Sequence, residues 1–348
     1  MHTGAVVQSP VTGQQYVLED ELGSGGFGVA FRCTAVHEDR PLCIKLTMDQ
    51  ASWHREAYLA ELLRGHPRVV DVHETFALPT SDGMTYAVVM ELADGGTLAD
   101  VLERVGSFSE KRAVRELKGL LLAVDRLHRS GAFHRDITPV NVFMCGNALK
   151  LGDFGISRHG FGTHVKADMF NPWFVDPAFH SSKTRWTAGD DLWQVGQLVV
   201  GMLTGEVDPI HVGAIRYLDC SDRLKAVLYR ALGSPAARFP TAAAMAAALN
   251  EAPISFGRIR SIEGLGLVFT GKLAIARDDA KRLAKKAGAT VHADVSRQVD
   301  VVVVGDGSSL WVAGTQGGSK LLTAAKLREE GHRITLIKES TFMRLVGR

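Results

Sequence analysis

The side chains best suited to phosphoryl transfer lie in one segment, from Phe133 to Ser157. It contains the triplet His134-Arg135-Asp136, then Asn141, then the triplet Asp153-Phe154-Gly155. One carboxylate in this set can orient an attacking hydroxyl, while an amide and a second carboxylate can hold Mg²⁺. Either triplet alone could arise by chance, but the ordered set at this spacing is strong evidence for that chemistry.

A glycine-rich turn lies upstream, with Gly23, Gly25 and Gly28 at G-x-G-x-x-G spacing. Dinucleotide sites share this spacing, but there a helix must follow the glycines and present its N-terminus to the pyrophosphate. Residues 29–34 are instead rich in β-branched and aromatic residues and favour a strand. The pattern therefore predicts a strand-turn-strand hairpin over nucleotide phosphates, where a Cβ would hold the backbone away.

Together these motifs resemble the eukaryotic-type (Hanks-type) Ser/Thr protein kinases over about residues 14–250. The resemblance implies an α+β bilobal protein-kinase fold with ATP and Mg²⁺ between the lobes. It also implies that Asp136 orients the substrate hydroxyl and that Asn141 and Asp153 hold the metal.

Lys45 ends an apolar run and takes the place of the phosphate-binding lysine of these kinases. Its predicted partner is Glu56, on the apolar face of a helix predicted over residues 52–64. Glu61 is the alternative partner for Lys45, about 140° further round the helix. The choice of Glu56 rests on its distance from the His66-Pro67 turn, which resembles the family pattern.

Residues 86–93 resemble the kinase hinge, a buried strand that ends in a polar loop. By this resemblance, Met90 is the gatekeeper beside the adenine pocket, and the backbone of Glu91 and Ala93 bonds the adenine edge. Further along, Asp191 resembles the residue that holds the catalytic-loop backbone.

Two positions depart from the family pattern. Thr138 stands where Ser/Thr kinases have a lysine that faces the γ-phosphate, so a positive charge is missing there. Asp176-Pro177-Ala178 replaces A-P-E, which leaves Arg238 without its expected glutamate. Because a buried unpaired guanidinium is costly, we expect Asp176 or another carboxylate to pair with Arg238.

Arg135 is the feature by which many such kinases respond to phosphate on the activation segment. In this chain that segment lies between Asp153 and Pro177, and its candidate regulatory phosphosites are Ser157 and Thr163. Nearby basic residues would favour a phosphate, whereas Asp168 could already serve as a built-in anion.

The C-terminal part differs from the rest in charge. From Arg258 to Arg348 there are 16 Lys and Arg residues against 9 Asp and Glu, a net charge of +7, whereas the preceding residues carry −5. This asymmetry suggests an anionic partner. Strand and helix patterns alternate around the all-apolar strand Val301–Val304, which predicts a small α/β domain with a central parallel sheet over residues 263–348. Residues 251–262 are the predicted linker.

Three short motifs in this part resemble a BRCT domain, in the subtype found on bacterial NAD-dependent DNA ligases and clamp-loader large subunits. They are Val268-Phe269-Thr270-Gly271, Gly318-Ser319-Lys320 and Glu339-Ser340-Thr341-Phe342. In phosphate-binding BRCT domains a Thr-Gly pair and a lysine converge on one phosphate, and by position these are Thr270, Gly271 and Lys320. The alternative is that Thr270 caps a turn and Lys320 is solvated.

Composition fits two domains in a reducing compartment. The four cysteines, at positions 33, 43, 145 and 220, occur singly, without metal-ligand spacing. With no secretory leader evident, we expect a cytoplasmic protein. The longest apolar stretch, residues 192–203, is too short to span a membrane.

The sequence thus predicts a cytoplasmic, bacterial Ser/Thr protein kinase whose BRCT domain recruits it to phosphoproteins or DNA ends. DNA-damage signalling and defence against foreign DNA are settings suggested by fold-level analogy. The main alternative is a pseudokinase scaffold that acts through its BRCT domain. The departures from the family pattern at Thr138 and Ala178 are compatible with this alternative. A small-molecule kinase is disfavoured because residues 154–193 are long enough to shape a peptide platform.

Overall fold

The computed structural model describes residues 2–26, 28–36, 40–81, 83–155, 157–159, 173–177, 185–250, 256–306, 320–321, 323–324, 327–328 and 330–347. The chain folds into two compact units. One comprises Met1–Ile210 with Pro240–Ala246, and the other comprises His211–Phe239 with Ala247–Arg348. None of the helices in the described residues is long and apolar enough to cross a membrane.

The first unit begins with a six-stranded antiparallel sheet in the order β1-β2-β3-β4-β6-β5. Its strands are β1 (Val6–Gln8), β2 (Gln15–Gly25), β3 (Gly28–Ala35), β4 (Pro41–Thr47), β5 (Val72–Thr80) and β6 (Gly83–Glu91). Successive side chains of a strand point to opposite faces. The buried Ile44 and Leu46 of β4 therefore place Lys45 on the face away from the sheet core.

This sheet is curled, because residues near its two edges meet. Glu74 of β5 accepts hydrogen bonds from the hydroxyls of Ser9 (2.6 Å), Thr12 (2.7 Å) and Tyr16 (2.7 Å). The Tyr16 ring also stacks on Phe76, with centroids 6.3 Å apart. Strand β1, which precedes the predicted domain start at residue 14, is thereby part of the first sheet.

Helix α1 (Gln50–Leu63) begins two residues before its predicted start. The reason is Asp49, whose carboxylate accepts the backbone N–H groups of Ala51 and Ser52 and caps the helix. The buried residues of α1 are Ser52, Glu56, Leu59 and Leu63. The helix thus presents one face, with Glu56 on it, to the rest of the unit.

The helical part of the first unit consists of α2 (Leu98–Val105), α3 (Glu110–Arg129) and α4 (Ala188–Thr204). Four short strands accompany them: β7 (Ala132–Phe133), β8 (Val142–Cys145), β9 (Ala148–Leu151) and β10 (Arg158–His159). Side chains of Thr97 and Ser109 cap α2 and α3, and Thr187 with Asp190 forms a capping box on α4. Between β7 and β8 lies the loop that carries Asp136 and Asn141.

After α4 the chain forms two 3₁₀ helices, η1 (Val212–Tyr217) and η2 (Pro235–Ala237), and the helices α5 (Asp222–Ala231) and α6 (Ala242–Ala248). The C-terminal sheet then has four strands, β11 (Gly266–Thr270), β12 (Thr290–Val291), β13 (Val301–Val304) and β14 (Thr335–Lys338), with helices α7 (Arg277–Lys286) and α8 (Glu339–Leu345). The strands pair in parallel in the order β12-β11-β13-β14.

Both faces of the C-terminal sheet are covered. Alternate residues of β13 belong to two different apolar clusters, Val301 and Val303 to one, Val302 and Val304 to the other. A strand buried on both faces needs an uninterrupted apolar run, which is what residues 301–304 provide.

Candidate active site

Lys45 lies between two carboxylates. Its Nζ is 3.0 Å from Glu56 Oε2 and 2.9 Å from Asp153 Oδ1. The alternative partner, Glu61, is exposed and pairs instead with Arg64, just after the end of α1. The sheet, through β4, and helix α1 thus both contact the segment that carries Asp153.

Lys45 and Asp153 each favour the charged form of the other. Burial alone would lower the pKa of Lys45, but Glu56 and Asp153 raise it well above its usual range, so the side chain is an ammonium. Burial would raise the pKa of Asp153, yet Lys45 holds it below its ordinary value. The cluster therefore presents a fixed cation beside an ionised carboxylate.

Asp136 and Asn141 form a second cluster. The Asn141 amide Nδ2 donates to Asp136 Oδ2 at 2.6 Å and to the Asp136 carbonyl at 3.0 Å. The other carboxylate oxygen, Oδ1, is buried and has no partner among the described residues. Burial, with a smaller effect of the Asp153 charge, raises the pKa of Asp136 to about 6 despite the Asn141 hydrogen bond.

His134 supports the loop from inside the fold. Its Nδ1 accepts the Asp136 N–H (3.3 Å), so Nε2 carries the proton and donates to the Gly152 carbonyl at 3.1 Å. The imidazole packs on the Phe154 ring, with centroids 5.0 Å apart, and burial lowers its pKa. A neutral histidine thus joins the Asp136 loop to the Asp153 segment.

Asp191 holds the backbone of the same loop. Its carboxylate accepts the N–H groups of His134 and Arg135, both at 2.9 Å, as well as donors from Trp186 and His128, both at 2.8 Å. Such a set of donors keeps the pKa of Asp191 below its usual range although burial opposes this. Asp191 therefore contacts the loop as the sequence predicted.

The glycine turn has one position where glycine is required. Gly28 has φ +126°, and a Cβ there would lie 2.2 Å from the Leu46 carbonyl oxygen. Gly23 and Gly25 have open space where a Cβ would be, and Gly25 pairs with Gly28 across the β2–β3 hairpin. The hairpin predicted from the flanking residues is present, and Phe27 lies outside the described residues.

The Glu91 side chain connects the hinge region to neighbouring elements. The Glu91 carboxylate accepts the Asp71 N–H at 2.8 Å and contacts Lys150 Nζ at 2.5 Å. Met90 precedes it at the end of β6, and the Ala93 carbonyl accepts the Gly96 N–H. The Glu91 backbone N–H also donates to the Asp71 carbonyl, at 2.9 Å. The contact of the Glu91 and Ala93 backbone with adenine stays a prediction.

Two residues of this region were not predicted from the sequence. Arg55 Nε donates to the Gly155 carbonyl at 2.7 Å, and Ser52 Oγ donates to the same oxygen at 3.2 Å. Both lie on α1, one and four residues before Glu56. Their partner is a backbone carbonyl about a hundred residues away, so no spacing pattern marks them.

The donor set fits ATP and a divalent cation. Asn141 and Asp153 offer amide and carboxylate oxygens, which are ligands for hard cations. Lys45 offers an ammonium for phosphate oxygens, and the buried Oδ1 of Asp136, which lacks a partner in the described ranges, can accept a hydrogen bond from a hydroxyl. The residues present therefore fit the ATP and divalent cation that the sequence implied.

Other predicted positions have different outcomes. Ser157 is fully buried, and its hydroxyl donates to the His134 carbonyl at 3.0 Å. The phosphosite at Ser157 stays a prediction, which requires this hydroxyl to become exposed. Thr163 lies outside the described residues. Thr138 is buried, and its hydroxyl has no partner in the described part of the chain. Arg238 donates from Nε to the Gly233 carbonyl, and its pairing with Asp176 stays a prediction.

In the C-terminal sheet, Thr270 is buried at the end of β11 and Gly271 follows with φ +76°. The carbonyls of Phe269 and Gly271 accept Arg277 Nη1 and Nη2, each at 2.8 Å, so this arginine supports the turn. Lys320 Nζ bonds the Ala293 carbonyl and lies 3.7 Å from Asp294 Oδ1. The convergence of Thr270, Gly271 and Lys320 on one phosphate stays a prediction.

Known families match both parts of the chain. A family model of the protein kinase domain matches residues 16–215, and one of the BRCA1 C Terminus (BRCT) domain matches residues 262–330. The chain therefore belongs to the protein kinase family, and its kinase domain is followed by a BRCT domain.

Similar proteins include serine/threonine-protein kinases from plants, bacteria and animals. Serine/threonine-protein kinase PEPKR2 of Arabidopsis thaliana is 30% identical over 211 residues, covering 58% of this chain and 44% of that protein. Serine/threonine-protein kinase PknB of Mycolicibacterium smegmatis is 29% identical over 266 residues, covering 68% of this chain and 42% of PknB. Ribosomal protein S6 kinase alpha-4 of Homo sapiens is 30% identical over 216 residues, covering 58% of this chain and 27% of that protein. The chain spans less than half the length of each of these relatives.

Proposed function

We propose that the protein is a Ser/Thr protein kinase that transfers the γ-phosphoryl group of ATP to hydroxyls of protein substrates. The observation that carries this proposal is the geometry around Lys45, whose Nζ joins Glu56 and Asp153 at 3.0 and 2.9 Å. In phosphoryl transfer the protein mainly positions reactants and stabilises charge, and this cluster is suited to both.

Each residue has a role in this proposal. Asp136 orients the substrate hydroxyl through its unpartnered oxygen, and Lys45, held by Glu56, positions the phosphates. Gly23, Gly25 and Gly28 bring backbone over the phosphates, while Met90, Glu91 and Ala93 border the adenine. Asn141 and Asp153 would hold Mg²⁺, which neutralises charge on the phosphates when bound.

We extend the proposal to the domain organisation. A kinase domain at residues 14–250, a linker at 251–262 and a BRCT domain at 263–348 would let a phosphate site at Thr270, Gly271 and Lys320 bring the kinase to phosphoproteins or DNA ends. The net charge of +7 after residue 257 supports an anionic partner. A BRCT subtype shared with bacterial DNA ligases, a bacterial cytoplasm, and DNA-damage or foreign-DNA responses complete this proposal by analogy.

The second candidate function is a pseudokinase scaffold that binds nucleotide and acts through its BRCT domain. Thr138 favours it, because a buried hydroxyl without a partner among the described residues replaces a lysine of the family. The full set of Lys45, Glu56, Asp136, Asn141 and Asp153 favours the enzyme.

The deciding experiment is transfer of labelled γ-phosphate from Mg-ATP to the protein itself and to a generic basic protein. We expect label with the wild type and a loss of about 10³-fold or more with Asp136→Ala. Glu56→Gln should lose much of the activity, whereas the matched change Glu61→Gln should not, since Glu61 is exposed and pairs with Arg64. Nucleotide binding without transfer would favour the scaffold.

A separate measurement tests the C-terminal site. Binding of fluorescent phosphopeptides and of 5′-phosphorylated DNA ends should weaken in Lys320→Ala but not in Lys281→Ala, an exposed lysine of α7 paired with Asp278. Equal binding by both variants would remove Lys320 from the site.

A further inference from the structure

Gln194 makes an unusual set of contacts for a side chain outside the catalytic motifs. It lies on α4 three residues after Asp191, hence on the same face of the helix, and it is fully buried. Its amide makes three hydrogen bonds, all to backbone groups. A glutamine amide is suited to this because it accepts and donates at once.

Two of these bonds hold the peptide groups on either side of Asp136. The Ile137 N–H donates to Gln194 Oε1 at 3.0 Å, and Gln194 Nε2 donates to the Arg135 carbonyl at 3.2 Å. The residue between them carries the carboxylate that orients the substrate hydroxyl in our proposed function. A shift of either peptide group would therefore move that carboxylate.

The backbone at this point is strained. Arg135 has φ +74°, a left-handed conformation that a residue with a Cβ adopts only when its surroundings impose it. Both backbone polar groups of Arg135 are held from α4, the N–H by Asp191 and the carbonyl by Gln194. The two side chains together thus impose the turn that precedes Asp136.

The third bond reaches the activation segment. Gln194 Nε2 also donates to the Phe174 carbonyl at 2.9 Å, and the Phe174 ring packs edge-on against Trp193, with centroids 6.3 Å apart. One amide therefore joins the Asp136 loop to residues 173–177, near the end of the segment expected to contact the peptide substrate.

We propose that Gln194 is a positioning residue for phosphoryl transfer, which sets the Asp136 carboxylate relative to the substrate-binding end of the activation segment. This inference rests on the proposed kinase function. Hydrogen-bond donation is essential to it, because a carboxylate at this position could accept the Ile137 N–H but could not donate to the carbonyls of Arg135 and Phe174.

The chain supplies a matched control on the same helix. Gln197 is also buried, and among the described residues its amide bonds the backbone of Ile210 alone, accepting its N–H at 3.1 Å and donating to its carbonyl at 2.9 Å. The variants to compare are Gln194→Met, Gln194→Glu and Gln197→Met, where methionine keeps the length of the side chain and removes the amide.

We expect both Gln194 variants to lower kcat for peptide phosphorylation about 10- to 100-fold, with KM for ATP changed less than about twofold. Gln197→Met should lower the melting temperature to a similar extent and change kcat less than about twofold. In an Asp136→Ala background, Gln194→Met should cost less than about twofold of the residual rate, because the two residues act as a unit.

Hydrogen–deuterium exchange supplies a measurement that does not depend on activity. Gln194→Met should accelerate exchange of the Ile137 amide, and Gln197→Met should accelerate that of Ile210 instead. If the wild type transfers no phosphate, the kinase proposal fails and the catalytic role of Gln194 fails with it, whereas faster exchange at Ile137 would still show that Gln194 holds the loop that carries Asp136. Unchanged exchange at Ile137, or equal kcat losses in the Gln194 and Gln197 variants, would overturn the inference.

Discussion

At Asp136 the fold buries a carboxylate and leaves one of its oxygens without a partner among the described residues. A buried, incompletely paired carboxylate costs stability when it is ionised, which is the origin of its raised pKa. The same arrangement leaves the oxygen available to a substrate hydroxyl. In our proposed function, stability and activity therefore make opposite demands on this residue.

The first prediction concerns the pH dependence of this opposition. Because the folded-state pKa of Asp136, about 6, exceeds its ordinary value of 3.8, the folded protein binds the proton more tightly, and stability falls as pH rises between these values. Asp136→Asn carries no such charge. Its free energy of unfolding should exceed that of the wild type by about 1–3 kcal/mol above pH 6, and by progressively less towards pH 4.

Chemical denaturation between pH 4 and 8, with EDTA and without nucleotide, measures this difference. Asp125→Asn removes a carboxylate that is paired with Arg129 on α3, away from Asp136, and serves as the control for loss of a negative charge. A constant difference between Asp136→Asn and the wild type at every pH would contradict the prediction.

The second prediction concerns Thr138. Its buried hydroxyl has no partner among the described residues, so Thr138→Val should leave stability unchanged or raise it by about 1–2 kcal/mol. Thr47 is equally buried, but its hydroxyl accepts the Asp49 N–H at 3.0 Å, so Thr47→Val should lower stability by about 1 kcal/mol. Urea denaturation distinguishes the two, and a loss in Thr138→Val as large as in Thr47→Val would mean that the hydroxyl is bonded.

At the level of elements, α1 is held from three sides. Trp53 Nε1 donates to the Ala87 carbonyl of β6 at 3.0 Å, Glu56 contacts Lys45 of β4, and Ser52 and Arg55 donate to the Gly155 carbonyl. The position of the helix is therefore coupled directly to the backbone that presents Asp153.

The third prediction tests this coupling. Arg55→Met removes the shorter of the two bonds to Gly155 and should lower kcat about tenfold, because a small displacement of Asp153 is costly in phosphoryl transfer. Arg64→Met, just after α1, removes only an exposed pair with Glu61 and should leave kcat unchanged. Steady-state kinetics with a peptide substrate measures both, and equal rates for the two variants would show that the helix does not depend on Arg55.

The sequence predicted the features that depend on the spacing and type of neighbouring residues. Periodicity placed Glu56 on the buried face of α1, and the flanks of the glycines indicated a hairpin. It could not reveal Arg55, Ser52 or Gln194, because their partners are backbone carbonyls far away in the chain, and any residue type can supply a carbonyl. The bond from the Ser157 hydroxyl to the His134 carbonyl could not be predicted either, because the direction of that hydroxyl depends on how the loop folds over His134.

At the level of the whole molecule, the proposed catalytic residues and the C-terminal sheet belong to different compact units. In the second unit, the buried Glu339 carboxylate at the start of α8 accepts the N–H groups of Ala274 (2.8 Å), Ile275 (3.4 Å) and Asp306 (3.3 Å). One side chain thus holds two loops at the ends of β11 and β13.

The fourth prediction follows from this separation. Glu339→Gln would turn an amide N–H₂ towards a backbone donor and should lower the stability of the second unit by about 1–3 kcal/mol. Phosphoryl transfer should continue at the wild-type rate. Denaturation followed by far-ultraviolet circular dichroism tests the loss of stability, and kcat tests whether phosphoryl transfer is retained. Glu330→Gln, at an exposed carboxylate, is the control. A parallel loss of kcat would show that the units are energetically linked.

The curled first sheet has a practical consequence for anyone who shortens the protein. A chain cut to begin at residue 14, where the kinase motifs alone would place the start, keeps Tyr16 but lacks β1, Ser9 and Thr12. Glu74 would then retain one of its three hydroxyl donors, and β2 would become an open edge strand with unpaired backbone groups. Such a fragment should aggregate through that edge. Precipitation of a truncated preparation would then result from the loss of β1 and not from a defect in the proposed catalytic residues.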